Sequence, residues 1–196
     1  MSSKRHQKLR RDFYSRPTQQ VARDLLGKFL VYRSPEGTIS GKLVEVEAYI
    51  GQTDPACHAA RGKTARNAVM FGPPGVAYIY FVYGMYHCLN FVTEQTGFPA
   101  AVLIRAAEPA DGVEVMRRLS PGRNGYDLLN GPGKICRSFG LTRAQNGLDL
   151  TGERLYVEDR NVLVARVGRS PRVGVKVGSE RPWRFYDRDS GAVSRL

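Results

Sequence analysis

The sequence predicts one compact α/β domain of the α+β kind, with a curved, mostly antiparallel sheet flanked by helices and long loops. Three observations carry this expectation. The chain has 196 residues, 42% of them hydrophobic, enough for a single domain with a substantial core. Strand-patterned segments alternate with short helical ones and with turn residues. The chain shows no internal repeat, linker or low-complexity stretch that would divide it. The expected division is a basic disordered arm over residues 1–11 and one domain over residues 12–196.

The segments follow in order. Met1 to Arg11 is polar and basic and lacks the apolar run of a secretory leader. Arg16 to Gly27 reads as a helix, with Pro17 in the first turn, Gly27 at the end, and Val21, Leu25 and Leu26 as its buried stripe. Lys28 to Arg33 is a strand, and Pro35-Glu36-Gly37 a turn. Thr38 to Tyr49 is a longer strand, with Val44, Val46 and Ala48 on one face and Glu45, Glu47 and Tyr49 on the other. That second face either sets a carboxylate beside an aromatic ring in a site or presents glutamates to solvent. Gly51 to Pro74 is a long loop holding His58, Arg61, Lys63, Arg66 and Asn67, and long ordered loops are often functional. Val76 to Thr93 gives two strands around Gly84. Ala101 to Ala107 is an apolar strand containing Arg105, which is either solvated or functional. Asp111 to Leu119 and Ile135 to Phe139 are helices, the second entered through Asn130-Gly131-Pro132-Gly133-Lys134. The last third mixes basic loops with short strands at Arg154 to Glu158, Arg172 to Val175 and Arg181 to Tyr186.

Composition narrows the partners. Thirty Lys and Arg against 18 Asp and Glu give a net charge of +12, which favours a polyanion. Neither a bilayer-long apolar run nor a long basic amphipathic helix is present, so no membrane partner is expected. Cys57, Cys88 and Cys136 are scattered, which points to a reducing, cytoplasmic setting. The Cys57-His58 and His87-Cys88 pairs do not make a zinc set, because adjacent strand residues face opposite ways. Gly131 to Lys134 could hold an anion at a helix start, but it lacks the Walker spacing. The most informative stretch is Tyr78 to Asn90, with Tyr78, Tyr80, Tyr83 and Tyr86 among the ten tyrosines of the chain. Aromatic planes beside positive charge suit a nucleobase, although tyrosines also fill ordinary sheet cores. Gly84 breaks the strand, so Tyr83 and Met85 fall at a turn where an exposed ring could wedge between base pairs.

Taken as an ordered set, these segments resemble the alkyladenine (3-methyladenine) DNA glycosylase family of the mammalian type, in a compact, bacterial-like form. The resemblance is carried by Gly41 to Tyr49, Arg66-Asn67 with Met70-Phe71, Tyr78 to Asn90, Leu103 to Ala106 with Glu108-Pro109, Gly131-Pro132 with Lys134, Arg172 to Val175, and Arg184 to Tyr186. It implies a monofunctional hydrolase of base-excision repair, cutting the N-glycosidic bond of alkylated or deaminated purines after nucleotide flipping. Glu47 then corresponds to the general base. Tyr49, His58 and Tyr80 wall the flipped base, and Asn90 screens normal purines. Tyr83 intercalates, and Arg66, Met85, Tyr86, Arg105 and Lys134 contact DNA. The partner implied is double-stranded DNA with damaged purines, met by a monomer in the cytoplasm or on the nucleoid, with no metal or organic cofactor. This chain departs from the family in a shorter His58 to Arg66 segment, in Cys57, and in the order Tyr86-His87. The alternative is a non-enzymatic binder of distorted DNA or structured RNA, which Glu47 disfavours because an idle carboxylate repels phosphates.

Overall fold

The computed structural model describes residues 6–194. In chain order the elements are β1 (Gln7–Lys8), α1 (Arg11–Tyr14), α2 (Thr18–Leu25), β2 (Phe29–Ser34), β3 (Gly37–Ile50), β4 (Ala77–Val82), β5 (Tyr86–Val92), β6 (Ala100–Pro109), α3 (Val113–Leu119), α4 (Pro132–Phe139), β7 (Leu155–Asp159), β8 (Val167–Ser170) and β9 (Arg184–Asp187). The sheet runs β1-β7-β2-β3-β6-β5-β4, and β9 joins it by pairing with both β3 and β8. The pairings between these strands are antiparallel. The expected fold class is therefore observed.

Of the expected disordered arm, residues 1–5 lie outside the described residues, whereas the ordered chain begins before residue 12. Gln7 and Lys8 pair with Asp159 and Glu158. Lys8 Nζ donates to Gly152 O at 2.7 Å, and Arg11 reaches Pro74 O at 2.6 Å and Asp149 at 2.5 Å. Basic residues expected to be solvated are pinned by carbonyls and carboxylates of other segments. Two further differences lie near the other end. Arg172 to Val175 is a loop, not a strand: Arg172 is buried and Gly174 takes φ +74°, a left-handed conformation that ends extended pairing. The Val167–Ser170 strand has no alternation to betray it.

One face of the sheet carries the main core. Val46 and Ala48 of β3, Ile79 of β4, Leu89 and Phe91 of β5, and Val102 and Ile104 of β6 pack against Val21 and Leu25 of α2, Met116 of α3, and Ile135 and Phe139 of α4. Each of the larger side chains among them contributes about 1.5–3 kcal/mol when fully buried. Period-two alternation sends their neighbours to the opposite face: Glu45, Glu47 and Tyr49, Tyr78 and Tyr80, Cys88 and Asn90, and Ala101, Leu103 and Arg105. That second face holds the site.

The long strand β3 is not a uniform ladder. Its partner register on β6 runs Leu43 to Ala107, Glu45 to Ala106, then Val46 to Ile104, so Val44 and Arg105 are each an extra residue. The paired bulges change which parity faces the core. Leu43 and Val46 both enter it, and Val44 packs separately with Ala106 and Ala192. Val44 therefore does not share a face with Val46 and Ala48 as strict alternation implied. The edge of β3 away from β6 passes from β2, which pairs Gly37 to Lys42, to β9, which pairs Glu45 to Glu47.

Candidate active site

Glu47 projects from the cavity-side face of β3 and is fully buried. Its Oε2 accepts the Tyr49 hydroxyl at 2.8 Å, and its Oε1 accepts the Val173 backbone N–H at 2.6 Å. Arg105 Nε lies 3.4 Å from the same Oε1. Burial pushes the Glu47 pKa up. Arg105, the Val173 N–H and the Tyr49 hydroxyl pull it back without restoring the ordinary value, and Glu45 adds to the rise. A carboxylate held this way is a stronger proton acceptor than one in water.

Tyr49, Arg105 and Val173, the three residues that hold Glu47, all line a cavity of about 390 Å³, within the size range of about 300–1,000 Å³ usual for small-molecule sites. His58, Tyr80 and Asn90 line the same space. The His58 ring meets the Tyr80 ring edge-on at 4.4 Å between centroids, and its Nδ1 lies 3.0 Å from the Tyr78 hydroxyl. Partial desolvation at the wall, then the Arg66 charge, hold the His58 pKa below its usual value, so the ring is neutral at neutral pH. Burial pushes the Tyr49 and Tyr80 phenols well up, and both stay protonated. Asn90 is fixed by its amide group, which donates to Tyr78 O at 3.1 Å and Cys88 O at 3.4 Å. The result is an aromatic slot with a polar floor, the shape and chemistry that accept a flat heterocycle.

At the mouth, the β4–β5 hairpin turns through Tyr83 at φ +52° and Gly84 at φ +66°, closed by Met85 N–H on Val82 O at 3.1 Å. A left-handed conformation is uncommon for a residue with a side chain. Here it leaves the Tyr83 ring 83% exposed beside Met85 and Tyr86, which are also exposed. Tyr83 lines the cavity mouth. Arg66 is exposed, stacks 5.4 Å from the Tyr80 ring centroid and donates to Phe81 O. Lys134 stands apart from this cluster: its ammonium is bonded to Asp127 at 2.5 Å and Asn130 at 2.7 Å. Of the residues singled out from the sequence, the fold brings Tyr49, His58, Tyr80, Asn90, Tyr83 and Arg105 to one cavity, holds Glu47 against Tyr49, Arg105 and Val173 of its lining, and sets Arg66, Met85 and Tyr86 around the hairpin that rims it.

Sequence reasoning left several members of the site without a role. Glu45 is fully buried beside Glu47 and accepts from Arg105 Nε (2.9 Å), Arg184 Nε (2.7 Å) and both donors of Ser194 (2.7 and 2.9 Å). Burial alone would raise its pKa, but Arg105, Ser194 and Arg184 outweigh it and hold the carboxyl below the ordinary range. The Val173 N–H is a backbone group, which no side-chain pattern announces. Arg172 and Asp54 form a fully buried ion pair behind Tyr49. Burial pushes the Cys57 thiol up to about 11 and raises Cys88 and Cys136 as well.

Comparison with known proteins places this geometry. The sequence model of the family described as methylpurine-DNA glycosylase (MPG) matches residues 12–191. A protein of Methanocella arvoryzae is 55% identical over 193 residues, covering 95% of this chain and 96% of its own. A protein of Alkaliphilus oremlandii is 44% identical over 200 residues, covering 96% and 99%. One of Sodalis glossinidius is 48% identical over 177 residues, covering 90% and 95%. All three bear the provisional name 3-methyladenine DNA glycosylase. The match runs almost end to end and spans every strand that builds the cavity, so the chain belongs to the methylpurine-DNA glycosylase family.

Proposed function

We propose that this DNA N-glycosylase is a monofunctional hydrolase that removes alkylated or deaminated purines from duplex DNA, with Glu47 activating the water. The carrying observation is that Glu47 is gripped by three residues that themselves line a cavity walled by Tyr49, His58 and Tyr80. A purine must leave the stack to enter such a cavity, at a cost of a few kcal/mol. The exposed Tyr83 at the hairpin tip is shaped to fill the gap it vacates. Stacking against Tyr49 and His58 returns roughly 1–3 kcal/mol per aromatic contact.

In the chemical step the water's O–H bond breaks and its proton passes to Glu47. The water oxygen bonds to the sugar C1′, and the C1′–N bond breaks with its electron pair leaving on the purine. Positive charge develops on the sugar, and the Glu47 carboxylate offsets it. A purine methylated at N3 or N7 already carries positive charge and departs without protonation, whereas a neutral one such as hypoxanthine leaves as an anion that takes its proton from solvent. The products are a free base and an abasic site in an uncut strand. The work of such an enzyme lies on cytoplasmic, nucleoid-associated DNA.

The test uses duplexes carrying 3-methyladenine, 7-methylguanine, hypoxanthine or ethenoadenine, with released bases resolved by chromatography. Free base without strand scission is expected, and Glu47→Gln should release it about a thousandfold more slowly while still binding abasic-site DNA. Enzyme-dependent cutting with a borohydride-trapped adduct would replace hydrolysis by lyase chemistry. Wild-type activity in Glu47→Gln would remove Glu47 from its role.

A further inference from the structure

We propose that Asp54 and Arg172 are positioning residues for base excision: their buried ion pair holds the Tyr49 wall and the Val173 N–H in place against Glu47. This rests on the reading of Glu47 as the proton acceptor and extends it to groups that never touch the substrate.

The pair is bidentate, with Arg172 Nη1 on Asp54 Oδ2 at 2.6 Å and Nη2 on Oδ1 at 2.8 Å, and both side chains are fully buried. The same atoms reach three chain segments. Nη1 also donates to Ala48 O at 3.0 Å, and Nη2 to Gly178 O at 3.3 Å. Asp54 accepts the N–H groups of Ile50 and Ala56, both at 3.2 Å. The end of β3, the loop leading to His58 and the loop from Val173 to Gly178 are thus tied at one point. Each of these segments supplies cavity lining: Tyr49, then Ala56 and His58, then Val173 to Val177.

Two details set the pair apart from a generic buried salt bridge. Its guanidinium carbon lies 4.6 Å from the Tyr49 ring centroid and 5.2 Å from that of Trp183, and Nε is buried without a hydrogen-bond partner among the described residues. An arginine that forgoes one hydrogen bond to keep its plane beside an aromatic ring is fixing that ring. The very next backbone N–H, that of Val173, is the donor 2.6 Å from Glu47 Oε1. Displacing Arg172 therefore displaces the peptide that holds the carboxylate. Desolvation makes a buried ion pair a poor source of stability, and apolar packing often does as well, whereas few apolar replacements would fix a strand end, two loops and a ring at once.

The experiment uses the full chain as Arg172→Lys, which keeps the charge and loses the planar fork, with Asp54→Asn as the second variant should the lysine protein fail to fold. Single-turnover base release is followed across pH, together with affinity for undamaged duplex and the emission of Trp183, the chain's single tryptophan. The expected result is a loss of rate of roughly tenfold or more from misplacement alone, with undamaged-duplex affinity within about twofold. The acidic limb of the rate profile should move to higher pH, because the Val173 N–H lowers the proton affinity of Glu47. The charged and titratable groups that face Glu47 are Glu45 and Tyr49 on its own strand, Arg105 on β6 and Arg172 on the loop. Lysine preserves the last of these charges, so the shift reports geometry. A folded variant with the wild-type rate and profile overturns the proposal and leaves the pair purely structural. Failure of the underlying reading looks different: Glu47→Gln would then retain activity whatever Arg172→Lys does.

Discussion

Glu45 and Glu47 stand two residues apart on one face of one strand, both wholly buried, and the protein treats them in opposite ways. Around Glu45 the site is closed. Two arginines and both donors of Ser194 saturate it, and its pKa falls despite burial. Around Glu47 the grip is lighter. A hydroxyl, one backbone N–H and the more distant reach of the shared Arg105 Nε hold it behind the lining of a cavity, and its pKa rises. Arg105 divides the two, donating to Glu45 at 2.9 Å and standing off Glu47 at 3.4 Å. Paired carboxyl groups whose surroundings push them apart mark a division of labour: Glu45 is a fixed counter-charge and Glu47 a proton acceptor.

The hardest test of that division is to neutralise each carboxylate in turn. Glu47→Gln should lower single-turnover base release about a thousandfold, within the range of roughly 10²–10⁴ for losing a general base, or about 4 kcal/mol in the barrier. Its fold should survive. If Glu45→Gln instead suffered the larger catalytic loss, the roles would be exchanged.

Glu45→Gln should strike stability. Removing the anion leaves Arg105 and Arg184 facing a neutral amide in a buried site, a loss of about 3 kcal/mol, or a Tm lower by roughly 10 °C for a domain of this size. The pH dependence has a definite sign. The pKa of Glu45 is depressed on folding, so its contribution is complete above the ordinary glutamate value of 4.5 and is lost as pH falls through the lower folded value. The Tm gap between wild type and variant should therefore close on acidification, as thermal scans between neutral pH and strong acid would show. A gap that widened would contradict the assignment.

A smaller effect is expected from Tyr49→Phe, which keeps the ring and removes the hydroxyl that donates to Glu47 Oε2 at 2.8 Å. Base release should fall about tenfold, near 1.4 kcal/mol, the worth of one hydrogen bond to a charged group. The acidic limb should move upward because a donor that stabilised the carboxylate is gone. An unchanged limb would mean that the Tyr49 hydroxyl does not tune Glu47.

The two glutamates were visible in the sequence to different degrees, for physical reasons. Period-two alternation put Glu45, Glu47 and Tyr49 on one face, and the family resemblance singled out Glu47. What closes over Glu45 arrives from positions 105, 184 and 194, contacts that local pattern does not encode. Paired bulges at Val44 and Arg105 re-aim the arginine without any glycine or proline to announce them. Asp54 and Arg172 are 118 positions apart, and each alone reads as an ordinary loop charge. The Tyr78 to Asn90 hairpin was the most legible part, because its turn, exposed ring and lining residues are all local. Lys134 was the least, since a lysine at a helix start looks the same in sequence whether or not oxygens such as those of Asp127 and Asn130 hold it.

The smallest effect sharpens the comparison most, because it asks whether the protein gives up stability to keep Glu47 as it is. A buried acid with a raised pKa binds its proton more tightly in the folded chain than in the unfolded one. Its favourable contribution is complete below the ordinary value of 4.5 and is lost as pH rises through the raised folded value. Above that window the ionised carboxylate is a burden on the fold, and glutamine, isosteric and uncharged, relieves it. Glu47→Gln should therefore melt higher than wild type near neutral pH, by roughly 2–4 °C for about 1 kcal/mol, the pattern expected where catalytic need opposes stability. As pH falls below 4.5 wild-type Glu47 is protonated in both states and the two curves should converge. That direction is opposite to the one predicted for Glu45→Gln two residues away. A Glu47→Gln protein less stable than wild type at neutral pH would mean that Arg105 and the Val173 N–H more than offset burial, and that both glutamates serve the fold alike.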